Sequence, residues 1–349
     1  MMTRLLATSL FLTTIILAVD DTPPRGIYDQ SNLAAWCIVP FDRAKRGPEE
    51  RAAMLEKLGF KQFVYDYRKE HIPTFDAEME ALKRHHVELT GWWFPGGLND
   101  EAKLILDVIK RHGMTKCDLW VMGGGAPTKT PEEQAARVQQ EVVRLKPIAQ
   151  EAAKLGVRLG LYNHGSWFGE PENMVAITEA LKREGVSNVG IVYNLHHGHE
   201  HLERFPQVLK LMLPHLICIN LDGMTKGGDA KGEKILPLGQ GDLDLELLRQ
   251  IRSSGYRGPI GILNHTDEDA EARLKDNLEG LRWLVRQLNG EAPGPKPEPK
   301  SWRRGDPKAQ GNKVQNAAIA TPVASLSPAF GKALAGGLEL PGKSEYRTL

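Results

Sequence analysis

The runs RLGLYNH (158–164), VGIVYNLHHGH (189–199), LICINLD (216–222) and IGILNH (260–265) decide the reading of this chain. Each is a short aliphatic stretch that ends on amide, imidazole or carboxylate side chains and leads into a helical segment. Parallel strands joined by helices bring their C-terminal ends to one face of a sheet. The polar ends Tyr162-Asn163-His164, Asn194-Leu195-His196-His197, Asn220-Leu221-Asp222 and Asn264-His265 are therefore expected to share one pocket.

The same alternation extends upstream. Strand-like runs fall at 33–41, 62–68, 87–94 and 118–124. Helical periodicity fills 48–59, 75–85, 99–113, 131–156, 172–185, 202–213, 243–255 and 268–288. Several of these segments open on proline or an acidic cap and close at glycine, as helix ends do. Eight strand–helix units over residues 30–289 predict a closed (β/α)8 TIM barrel rather than an open doubly wound sheet.

The termini read differently. Arg4 precedes the apolar run Leu5 to Val19, which Asp20, Asp21 and Pro23 break off. This run is short of the roughly 20 residues a bilayer-spanning helix needs, so residues 1–19 are expected to be an export signal, with no stable membrane insertion after cleavage near Ala18, the alternative being a retained membrane anchor. A periplasmic or secreted protein follows from that. Residues 290–316 form a Pro/Gly/Lys-rich linker without apolar periodicity. Residues 317–349 regain apolar residues but are too few for a domain, so the C-terminal extension is expected to be disordered.

A net charge of +1 over 349 residues gives no electrostatic footprint for nucleic acid. The three cysteines, Cys37, Cys117 and Cys218, sit in or beside predicted strands with no CxxC or zinc spacing, and they read as buried thiols. The glycine-rich stretches at 96–100 and 123–125 lack the spacing of a phosphate loop.

Six of the eleven histidines, His164, His196, His197, His199, His201 and His265, lie at or just after strand ends. Neutral imidazoles bind borderline metals or exchange protons near neutral pH. The HHGHEH run (196–201) reads either as a metal tract or as a solvated loop. Asn163, Asn194, Asn220 and Asn264 can recognise hydroxyls from both sides of the amide, and the alternative for each is capping of its own loop. Asp66 and Arg68 share a face of the second strand, suited to fixing a carboxylate or forming a barrel-mouth ion pair. Trp93 (or its neighbour Trp92, only one of which can face inward) and Trp167 offer flat rings for sugar C–H faces.

These strand-end motifs resemble the xylose isomerase-like TIM-barrel family of sugar phosphate isomerases and epimerases, which includes relatives of the apurinic endonucleases. The resemblance implies a divalent metal held by acidic and imidazole ligands on strands five to eight. Laid onto this chain, those ligand positions fall on Tyr162, Asn194, Asn220 and Asn264, leaving Asn163-His164, His197 and Asp222 of the family's motifs. The expected cofactor is accordingly none, or a divalent metal with zinc favoured over magnesium or manganese. The tail SPAFGKALAGGLELPGKSEYRTL (327–349) resembles the start of a laminin-G or concanavalin-like lectin domain, which implies a truncated sugar-binding module.

The function expected is that of an exported isomerase- or epimerase-like barrel acting on a carbohydrate. His164, His197 and His265 would serve as base and acid, and Asp222 as a second base or residual metal ligand. Asp66, Arg68, Trp93, Tyr162, Asn163, Trp167, Asn194, Asn220 and Asn264 would bind substrate. The alternatives are a catalytically inactive barrel that binds carbohydrate and, against the charge balance, an apurinic endonuclease-like enzyme.

Overall fold

A computed structural model describes residues 26–302. The expected export signal and lectin-like tail lie outside those residues. Eight parallel strands close into a barrel in sequence order: β1 (Leu33–Trp36), β2 (Gln62–Tyr65), β3 (Glu88–Trp93), β4 (Asp118–Val121), β5 (Leu159–Tyr162), β6 (Val189–Asn194), β7 (Leu216–Leu221) and β8 (Ile260–Leu263). The ring closes where β1 pairs with β8, with Trp36 opposite Leu263. Most strands are shorter than their apolar runs, because pairing stops where the chains diverge at the barrel mouth. β1 ends at Trp36 for a local reason: Cys37 takes a left-handed backbone, φ 56°, which extended pairing cannot continue.

The helices are α1 (Pro48–Lys57), α2 (Phe75–Arg84), α3 (Asp100–Arg111), α4 (Pro131–Lys154), α5 (Ser166–Gly169), α6 (Pro171–Arg183), α7 (Phe205–Met212), α8 (Gly228–Lys231), α9 (Asp244–Ser253) and α10 (Ala270–Leu288). Side-chain oxygens start three of them. Asn99 accepts from the Ala102 amide, Thr130 from Glu133 and Asp269 from Ala272, each satisfying an amide that the first turn leaves free. The region expected as one helix over 202–213 divides, with 3-10 turns from His199 to Arg204 before α7, because Pro206 fits only at a helix start.

The core has two layers. Outward-facing strand residues such as Phe63, Tyr65, Trp92, Leu161 and Ile262 pack under the helices. Inward-facing residues Ala34, Trp36, Val64, Trp120, Tyr162, Val192, Cys218 and Leu263 fill the barrel. Large rings fit there because glycines face them. A Cβ on Gly91 would lie 3.0 Å from the Trp120 ring, and one on Gly160 would lie 2.8 Å from Val192. Bulk on one strand is thus matched by its absence on another.

Among the described residues no helix is long and apolar enough to cross a membrane. The described part of the Pro/Gly/Lys-rich stretch is mostly exposed and is tied to the barrel at a few points as far as Trp302. The Lys300 and Ser301 amides donate to the Asp276 carboxylate at 3.0 and 2.7 Å, Gln240 donates to the Pro297 carbonyl at 2.9 Å, and Trp302 is buried. The strap holds because its own amides find a buried carboxylate on α10.

Candidate functional site

The strand alternation that fills the barrel also sets which mouth residues meet. Continuing the inward positions past the last paired residue of each strand gives Asp66 after β2, Trp93 at the end of β3, Tyr162 and His164 on β5, Asn194 on β6, Asn220 and Asp222 on β7, and His265 after β8. A cleft of about 190 Å³ opens at this mouth. Seven of the residues singled out from the sequence line it: Asp66, Arg68, Trp93, Tyr162, His164, His197 and His265.

The others lie behind it. Asn163 is fully buried and clamps β5 to β6, its amide donating to the Asn194 carbonyl at 3.1 Å and accepting from the Asn194 N–H at 2.7 Å. Asn194 donates to the Tyr162 hydroxyl at 2.6 Å and accepts from the His196 N–H at 3.2 Å. Asn220 faces the barrel interior, where its oxygen accepts from the Cys218 thiol at 3.6 Å. Asn264 sits between inward Leu263 and cleft-lining His265, so alternation turns its side chain toward the helices; the inward register on strand eight is not its own. Trp167 is buried and donates to Gln134 at 2.7 Å. Asp222 is buried at the end of β7, its carboxyl pushed well up by burial and by Asp244, with Arg273 opposing.

Aromatic rings form the cleft floor. Trp36 and Tyr162, from opposite strands of the ring, approach with centroids 6.0 Å apart, and Trp93 stands edge-on to Tyr162 at 5.2 Å. Below them Trp120 stacks on Tyr162 at 5.8 Å. Imidazoles run around the rim from β5 to β8: His164 and His197 lie 4.5 Å apart, His197 and His196 4.1 Å, and His196 and His265 5.5 Å. Crowding and burial keep them neutral. Burial first, then the other histidines and Lys234, push His197 well below the usual range; burial, then Arg68, pushes His265 down to about 3; His164 is lowered mainly by burial.

The HHGHEH run is not a solvated loop. His201 is buried and pairs with the Tyr193 hydroxyl at 2.9 Å and Glu170 at 3.2 Å, while His199 meets the Lys234 carbonyl at 2.9 Å. Among the described residues no group of three or more His, Cys, Asp and Glu is arranged to hold a metal ion.

Sequence reasoning read Cys37 only as a buried thiol and did not single out Trp36, Phe41, Tyr67, Lys69 and Glu101; all six also line the cleft. Trp36 was findable as the last inward residue of β1. Cys37 was not, because its place depends on a left-handed backbone that nothing in the local sequence demands. Its sulfur lies 4.0 Å from Nδ1 of His265, and Phe41 stacks on that imidazole with centroids 3.8 Å apart. Asp66 accepts from the Val39 N–H at 3.2 Å through Oδ1, its carboxyl raised to about 6 by burial. Arg68 donates to the Asp66 and Tyr67 carbonyls at 2.8 and 2.9 Å, and its guanidinium lies 5.7 Å from the Phe41 ring.

A family model described as xylose isomerase-like TIM barrel matches residues 49–287. No curated protein matches the chain. Among solved structures, the apo 3-keto-D-glucoside 4-epimerase YcjR of E. coli is similar at 16% identity and TM-score 0.53, covering 73% of this chain and 99% of that one. The IOLI protein with a binding zinc atom aligns at 16% identity and TM-score 0.56, covering 73% and 98%. A D-tagatose 3-epimerase-like protein aligns at 16% identity and TM-score 0.55, covering 74% and 98%.

Proposed function

The chain belongs to the xylose isomerase-like TIM barrel family, and on that footing we propose that it is an exported protein that moves a proton next to a carbonyl in a carbohydrate, without the family's metal. One observation carries this reading. Where the resemblance implies a metal-binding carboxylate, the Tyr162 hydroxyl accepts a hydrogen bond from Asn194 at 2.6 Å, directly beside the neutral imidazoles of His164 and His197.

The residues present do not fit a hard divalent cation. Tyr162, Asn194, Asn220 and Asn264 are all neutral, and Mg²⁺ and Mn²⁺ favour anionic oxygen ligands. A rebuilt zinc site on His164, His197 and His265 is disfavoured too, since no metal-holding group of three forms among the described residues. The chemistry falls to the side chains themselves.

Because Asn194 donates to Tyr162, the tyrosine's own proton is free to point into the cleft and bond a substrate carbonyl oxygen. Burial keeps that phenol protonated at any physiological pH. His164 is displaced least among the cleft imidazoles that line it, so it retains the most basicity and serves as the base that takes the neighbouring C–H proton. Trp36 and Trp93 supply flat apolar faces for the sugar ring.

The test is a panel of a 3-keto-glucoside, D-tagatose and D-fructose in D₂O, followed by NMR for deuterium uptake beside the carbonyl and by tryptophan fluorescence for binding. The expected result is exchange by wild type, lost in His164→Ala with the melting temperature kept within a few degrees. Binding without exchange would favour an inactive carbohydrate-binding barrel. No binding and no exchange would refute the reading. Export is tested separately, by sequencing the N-terminus of protein recovered outside the cytoplasm for loss of residues 1–19.

A further inference from the structure

Cys37 is the first side chain after β1, and His265, Asp66 and His164 follow β8, β2 and β5. In an eight-strand ring β1 and β5 are diametrically opposed, so Cys37 with His265 and Asp66 forms one wall of the cleft and His164 with His197 forms the wall across from it. The first wall carries three features that packing alone does not call for. Cys37 is a non-glycine residue with φ 56°, the region L-residues rarely adopt. Its sulfur faces Nδ1 of His265 at 4.0 Å. Asp66, a cleft-lining residue only 2% exposed, has one carboxylate oxygen tied to the Val39 amide, while Oδ2 is buried with no well-formed hydrogen bond beside the Cys37 thiol.

We infer that Cys37 is a catalytic residue: its thiol delivers a proton to the face of the reacting carbon opposite the one that His164 deprotonates, making the cleft a two-sided, metal-free epimerisation site for a keto sugar. This rests on the reading of the cleft as a proton-transfer site. His164 takes the C–H proton. The electron pair of that bond becomes the C=C of an enol(ate), and the carbonyl π pair moves onto oxygen, held by the Tyr162 hydroxyl. Re-forming the carbonyl returns the pair to carbon, which takes the thiol proton on its other face. The thiolate then regains a proton from solvent by way of His265, and His164 releases its proton to solvent. No oxidant or reductant enters.

The electrostatics suit a donor. Burial first and the Asp66 charge second push the Cys37 thiol well up, with Arg68 opposing, so the thiol holds its proton at rest. A carbanion next to a carbonyl is more basic still and can take that proton. His265 beside it stays neutral, so the pair rests as thiol and imidazole rather than as an ion pair.

The experiment follows a 3-keto-glucoside and D-tagatose in D₂O by NMR, scoring deuterium in recovered substrate separately from the new epimer, with wild type, Cys37→Ala and Cys37→Ser. Cys37→Ser keeps the size and a hydrogen bond toward His265 in case the alanine variant folds poorly. The expected result is loss of epimer formation by at least about a hundredfold in Cys37→Ala, a loss of close to 3 kcal/mol in transition-state stabilisation, with exchange into substrate within threefold of wild type. A merely structural cysteine would lower both together, and that result overturns the proposal. So does epimer formation by either variant within threefold of wild type. Wild type that exchanges but never epimerises overturns this proposal alone, while wild type that does neither overturns the parent reading with it.

Discussion

Replacing His265 with glutamine should make the fold more tolerant of acid. In the unfolded chain this imidazole charges near pH 6.5, while in the fold burial, then Arg68 and His164, hold it neutral down to about 3. The folded value is the lower one, so as pH falls below 6.5 the unfolded state takes up a proton that the native state refuses. Stability from this site is present above pH 6.5 and is lost progressively as pH falls toward 3. At pH 4.5 the gap spans two units, worth about 2.7 kcal/mol at 1.36 kcal/mol per unit. The ring borders the cleft, where solvent screens part of that, so the expected effect is about 2 kcal/mol. The assay is urea denaturation of wild type and His265→Gln at pH 7.5 and 4.5. Wild type should lose about 2 kcal/mol more than the variant between the two conditions, with matching m-values. The comparison is of differences, so any cost of the substitution at pH 7.5 cancels. Parallel losses would mean that the imidazole is not held neutral, and the account of the neutral histidines around the cleft would fail.

Other consequences follow from the same packing. Gly261→Ala would place a Cβ 1.8 Å from the Asn220 amide oxygen inside the barrel; we expect a loss of about 1–3 kcal/mol in urea denaturation, and an unchanged midpoint would refute the interior placement of Asn220. Asp276→Ala removes the carboxylate that binds the Lys300 and Ser301 amides, so trypsin should cut after Lys300, which precedes Ser301, many times faster than in wild type while the barrel stays intact. Cleavage at an unaltered rate would show that the strap is held by other contacts. Purified protein should carry far less than one equivalent of magnesium or manganese, and chelation should leave its melting temperature unchanged; stoichiometric metal on elemental analysis would sink the reading of Tyr162 and Asn194 as a replaced ligand pair.

The strand–helix alternation was legible because aliphatic runs, caps and terminal glycines are local signals, and eight repeats of them leave few closed solutions. The same signals located the mouth of the barrel, since polar residues that end parallel strands must gather on one face. What the sequence by itself did not decide is which of two neighbouring residues enters the cleft. Asn163 and His164, Asn264 and His265, and Trp92 and Trp93 are adjacent pairs in which one faces the cleft and the other packs behind it. That choice depends on the register in which the barrel closes, with Trp36 opposite Leu263, and a shift of one residue would exchange every pair. Cys37 lies further from local reading. It meets His265 across 228 residues only because β1 and β8 are neighbours in the closed ring and because its backbone turns left-handed at the strand end. Periodicity carries the fold, whereas the site is made by side chains that touch only after the ring has closed.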